Sequence, residues 1–191
     1  MRSLKSLSSV ASPRRMDALR TENRQRARPV DLRYLRAIAK TLIERVLTIP
    51  NYDLAVYLVA APEMTRLNET FLQHEGPTDV ITFDYCEQTP PASRLSLSRS
   101  TLHAPRSAPP PPLHGEIFIC VDEALIQARR FRTTWQSELL RYLIHGILHL
   151  QGFDDLRPAY RRKMKREESR LLRLCSRQFD FRKLAKISKL R

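Results

Sequence analysis

The sequence predicts an α/β fold, a small mixed sheet covered by helices, and three observations carry that prediction. Residues 54–60 (LAVYLVA), 79–85 (DVITFDY) and 116–121 (EIFICV) are short, β-branched, apolar or alternating runs of strand length. Amphipathic periods of helical length stand between and after them. Residues 135–151 then form one long helical stretch, apolar almost all round, that holds two histidines four positions apart.

Each element has a local reason. Leu32, Leu35, Ala39, Leu42 and Val46 repeat at helical spacing behind Asp31, a candidate N-cap, and Pro50 ends that helix. Pro62 opens a second helix through about Leu72, on which Met64, Leu67 and Phe71 are expected to face inward. Asp122 is expected to cap a helix running to about Arg132, and a last helix runs from about Pro158 to Leu174 with a dense Arg/Lys face. The expected order is αβαββααα, with no internal repeat.

Residues 1–28 are rich in Ser and Arg and show no strand or helix period, so they read as a disordered basic extension. Residues 29–175 are the expected domain and 176–191 a basic tail. Residues 86–113 contain seven of the thirteen prolines, including a PPPP run. Fixed φ angles and missing amide donors keep such a segment out of sheets and helices, so it is expected to be a disordered insertion.

The 191 residues are 42% hydrophobic and 28% charged, ordinary for one globular domain. No apolar run nears the ~20 residues that span a bilayer, which argues against an integral membrane helix. Three cysteines without CxxC spacing fit a reducing compartment, hence a cytoplasmic expectation. The first sixteen residues lack acids, as an organelle transit peptide does, and Met16 is a second candidate start.

The net charge of +14 is uneven. Residues 1–28 carry eight bases against two acids, and 157–191 carry fourteen against three. The stretch between them, 29–156, has twelve bases against fifteen acids. A near-neutral body with basic ends points to a polyanionic partner.

The chemistry concentrates in HGILHLQGFDD, residues 145–155. His145 and His149 lie on one helix face, at a separation from which two imidazoles can share a divalent ion. Unpartnered imidazoles in an apolar helix are costly, so metal binding outweighs a purely structural pair. Gly152 permits a left-handed helix end, after which Asp155 can swing back toward the rings. The spacing H-x3-H-x2-G-x2-ligand is that of the metzincins, here with a carboxylate as third ligand. A metzincin places a glutamate after the first histidine as general base. Gly146 stands there instead, which disfavours peptide hydrolysis. Asp154, Glu116 and Asp84 are alternative bases among which spacing does not choose.

The same stretch resembles the HGxLHLxGYDH signature of the YbeY family, metal-dependent endoribonucleases and ribosomal RNA maturation factors. LNETFLQHEGPTDVITFDY (67–85) is similar to that family's LN-x-x-[YF]-…-PTDVLSF block, and HGEIFICVDEALIQA (114–128) to its GDIxI…A block, in the family's order. Two positions depart. Asp155 replaces the usual third histidine, and Leu72 falls where the family has an arginine; His74 nearby is a candidate auxiliary group. The resemblance implies a Zn²⁺-dependent hydrolase with His145, His149 and Asp155 as ligands, one ion per chain. Its expected substrate is single-stranded RNA, in small-subunit ribosomal RNA 3′-end maturation and ribosome quality control, with ribosomal or assembly proteins as further partners and no membrane. A non-catalytic assembly factor with a structural metal and a metalloprotease-like hydrolase are the rival readings.

Overall fold

The computed structural model describes residues 17–86, 110 and 112–186. The proline-rich insertion therefore lies almost wholly outside the described residues, as do 1–16 and 187–191.

The apolar run YDLAVYLV forms β2 (Tyr52–Val59), buried over most of its length because it sits inside the sheet. On one side it pairs in parallel with β1 (Asp17–Asn23), Leu19 opposite Leu54. On the other it pairs in parallel with β4 (Leu113–Cys120), Val56 opposite Ile117. The last strand, β3 (Val80–Asp84), runs antiparallel along β4, so the order is β1-β2-β4-β3.

Strand parity divides the side chains between two cores. Leu54, Val56, Leu58, Leu113, Ile117 and Ile119 join the large core under α1 (Leu32–Thr41) and α4 (Trp135–Leu150). Val59, Phe118, Cys120 and Ile81 face the other way, onto Met64 of the short helix α2 (Ala61–Leu67). The remaining helices among the described residues are α3 (Val121–Phe131) and α5 (Pro158–Gln178), both packed on α4.

Asp31 caps α1 as expected, accepting the Tyr34 N–H at 2.9 Å. Asp122 caps a different helix from the one expected. It lies inside the first turn of α3 and accepts the Ala61 N–H at 2.6 Å, fastening the start of α2 to the end of β4.

Three expectations need correction. Residues 17–23 are a strand, not an irregular extension, so the order gains a leading β element. Only Leu19 is buried on that edge strand, too little to produce a sequence period. The end of the chain is also more ordered than a tail. Helix α5 continues to Gln178, Asp180 caps a short 3-10 turn at Phe181–Leu184, and Leu184 is fully buried. Its carbonyl accepts the Asp31 N–H at 2.9 Å, closing the two ends of the domain on each other. Phe71, expected inside, is 58% exposed, because α2 widens after Leu67 into a looser turn (Asn68–Leu72) that swings it outward.

Candidate metal centre

Helix α4 lies across β3 and β4, and a glycine lets it approach. A Cβ on Gly146 would stand 2.8 Å from the Ile117 side chain and 3.2 Å from that of Thr82. Position 146 thus faces the sheet, and the histidines on either side of it face α5 and the loop beyond α4.

His145 and His149 are half-buried, with ring centroids 4.5 Å apart and their Nε2 atoms 2.9 Å apart. Each outer nitrogen is already committed. His145 Nδ1 meets the Glu168 carboxylate at 2.5 Å, and His149 Nδ1 meets the Phe153 carbonyl at 3.0 Å. A carbonyl only accepts, so His149 donates from Nδ1 and its Nε2 carries a lone pair. With the Glu168 carboxylate ionised, His145 is held in the same tautomer, and two lone pairs then face each other. Such a pair is stable only around a cation or a shared proton. A carboxylate or carbonyl on the outer nitrogen of each imidazole is the usual support of metal-bound histidine.

The helix end brings the third group. Gly152 is left-handed (φ 82°), its N–H donates to the His149 carbonyl at 2.8 Å, and the Phe153 N–H donates to that of Leu148 at 3.0 Å. This turn aims the Phe153 carbonyl at His149 and reverses the chain. Asp155 then returns, its backbone carbonyl accepting from Arg161 Nε at 3.0 Å. One ligand atom each from His145, His149 and Asp155 lies within 4.8 Å of the others. Ligand atoms around a tetrahedral zinc stand roughly 3.4 Å apart, so this donor set fits a divalent ion with a position left open.

Burial disfavours charge on both rings. On His145 the Glu168 hydrogen bond and charge outweigh that, and its pKa sits above the ordinary histidine value. On His149 burial and the neighbouring His145 act together, and its pKa is lowered.

The site opens into a cavity of about 620 Å³, lined among others by Asp79, Arg141, Tyr142, His145, Asp155 and Glu168. Two of its carboxylates, Glu138 and Glu168, are buried and joined by a cation. Arg141, one turn before His145, reaches Glu138 at 3.4 Å and Glu168 at 3.8 Å, and the Thr133 hydroxyl donates to Glu138 at 2.6 Å. A chain of contacts thus runs from Thr133 through Glu138, Arg141 and Glu168 to His145.

None of these four was singled out from the sequence, although two left a signal. Glu168 occupies the buried stripe of α5 with Met164, Leu171 and Cys175, a carboxylate where an apolar residue is expected. Arg141 extends the histidine spacing one step back, R-x3-H-x3-H.

The candidate bases are placed elsewhere. Glu116 lies on the opposite face of the sheet, accepting from the Tyr57 hydroxyl at 3.1 Å and the Tyr85 hydroxyl at 2.9 Å. Asp84 accepts the Cys86 N–H and Asp154 the Leu156 N–H, and neither lines the cavity. Asp79 is the carboxylate of the preceding block that does, its Oδ1 accepting the Val80 N–H at 2.9 Å. His74 and Leu72 are both exposed in the segment after α2 and outside the cavity lining.

Residues 20–176 match the family model described as Endoribonuclease YbeY. The chain belongs to the YbeY family. An Endoribonuclease YbeY of Salinibacter ruber is 29% identical over 160 residues, 84% of this chain and 93% of that protein. One of Bacteroides fragilis is 31% identical over 139 residues, 73% of this chain and 81% of that protein. A solution structure from Thermotoga maritima aligns with a TM-score of 0.55 at 24% identity, covering 84% of this chain and 90% of that one, which supports the fold. Of the residues matched to the HGxLHLxGYDH signature, His145 and Asp155 line the cavity and His149 stands against His145.

Proposed function

We propose that this protein is a Zn²⁺-dependent endoribonuclease that cuts single-stranded RNA in the maturation of the small-subunit ribosomal RNA 3′ end and in ribosome quality control, in the cytoplasm. The observation that carries the reading is the pair of facing Nε2 atoms, with both outer nitrogens committed and a carboxylate beside them, in a chain of the YbeY family. His145, His149 and Asp155 would hold the ion. Bound zinc supplies a Lewis acid and lowers the pKa of a ligated water. The chain's own groups do the rest. Glu168 and the Phe153 carbonyl fix the rings, Arg141 balances the two buried carboxylates, and Asp79 is positioned in the cavity wall to accept a proton. Position 146, turned into the sheet, carries no group able to serve a peptidase mechanism.

The test uses end-labelled RNA spanning a small-subunit 3′ end, offered single-stranded or annealed. Purified protein should cut the single strand, lose activity in chelator and regain it with zinc. His149→Ala should cut at most about one hundredth as fast, the scale of losing a metal's electrostatic contribution. RNA bound but left intact with zinc present would favour an assembly factor with a structural metal.

A further inference from the structure

Helix α5 offers one stripe to the core and the rest of its surface to solvent. Met164, Glu168, Leu171 and Cys175 are buried, whereas Arg162, Lys163, Lys165, Arg166, Arg170 and Arg173 are all exposed. A groove of about 740 Å³ runs over this surface, with Lys163, Lys165, Arg166, Arg170 and Arg173 in its walls and Phe153 at its side. Among the described residues that line it, the acid Glu167 is taken up by Arg170 at 2.6 and 2.9 Å.

Two features connect this groove to the metal centre. Lys165 and Ser169 line both the groove and the cavity that holds His145 and Asp155, so the two openings share a wall. Phe153 is the second link, lining the groove but not the cavity. Its carbonyl holds His149, and its ring borders the groove with Lys163 Nζ 5.4 Å from the ring centroid.

From this geometry we propose that the α5 groove is the seat of single-stranded RNA, which lies along the cations with a base against Phe153 and enters the metal cavity past Lys165. The proposal rests on the reading of RNA as substrate. Lys163 to Arg173 spans about 15 Å of helix, room for a few nucleotides. Cations that follow a backbone beside an aromatic face are the general means of holding a single strand. A lipid surface is flat and cannot follow the cations from a helix face into a cavity, whereas a single strand can.

The test measures binding of a 2′-O-methyl uridine 12-mer, which resists cutting, to the full-length zinc-loaded protein across a range of salt. The double variant Arg166→Ala/Arg173→Ala should bind roughly tenfold more weakly and lower the salt slope by about 1.4, from two lost phosphate contacts. Phe153→Leu, which keeps an apolar side chain against the core, should weaken binding roughly tenfold with the slope unchanged. Arg33→Ala/Arg36→Ala on the exposed side of α1 should change neither. An unchanged slope in the α5 variant, an equal loss in the α1 variant, or displacement of the RNA by phosphatidylserine vesicles would each overturn the groove. RNA that binds through α5 but is never cut leaves the groove standing and removes the nuclease reading. RNA that is cut while the α5 variant keeps its slope does the reverse.

Discussion

Glu168 and Glu116 make an instructive pair. Each is a carboxylate held by two groups, and they lie on opposite sides of one sheet. Glu168 takes His145 and Arg141 on the α5 side, beside the cavity. Glu116 takes the hydroxyls of Tyr57 and Tyr85 on the α2 side. Burial and the charge of Glu116 raise the pKa of both tyrosines, which keeps them hydrogen-bond donors. What separates the two carboxylates is position within an element. Along β4, Gly115 and Ile117 face α4, so Glu116 must face away. On α5, Glu168 shares the stripe that meets α4. The metal-site face brings together groups from α4, the turn after it and α5, and the other face carries an aromatic cluster with no part in it.

The largest effect expected from breaking this contrast is that of His149→Ala, which should abolish zinc binding and RNA cutting together. Next is Glu168→Ala. It takes the carboxylate from His145 and leaves Arg141 with Glu138 alone, and it should lower stability by about 1–3 kcal/mol in denaturant titration. Glu168→Gln is the gentler form. It should keep the fold while zinc affinity drops roughly 10- to 100-fold in a competition titration. Gly146→Ala presses a methyl against Ile117 and should cost about 1–3 kcal/mol, read as a lower urea midpoint. The smallest effect belongs to Glu116→Gln. The tyrosine hydroxyls keep an acceptor, so stability should move by about 1 kcal/mol or less, and zinc affinity should not move. A loss of zinc in Glu116→Gln would erase the distinction between the two faces.

How much of this was legible in the sequence depended on how much of each feature is local. The central strand β2 announces itself because both its faces are buried. His145, His149, Gly152 and Asp155 are legible because a helix and its end fix their relation within eleven residues. Glu168 lies nineteen residues from His149 and is hidden in a helix dominated by arginine and lysine. Its partner becomes apparent only when α4 and α5 pack. Strand β1 and Leu184 failed to register for a related reason. A single apolar residue gains its meaning from a neighbouring strand or from the start of α1, and neither is near in sequence. The charge reading was coarse in place. The basic C-terminal region is mostly a folded helix, and its cations are arrayed along a groove that joins the cavity.

The most direct test of the central claim is the zinc content of purified protein after exhaustive dialysis, measured for wild type, His149→Ala, Asp155→Ala and Glu116→Gln. The arrangement of His145, His149 and Asp155 predicts about one ion per chain in wild type and in Glu116→Gln, and little or none in the other two. Zinc retained at wild-type level in both His149→Ala and Asp155→Ala would contradict it.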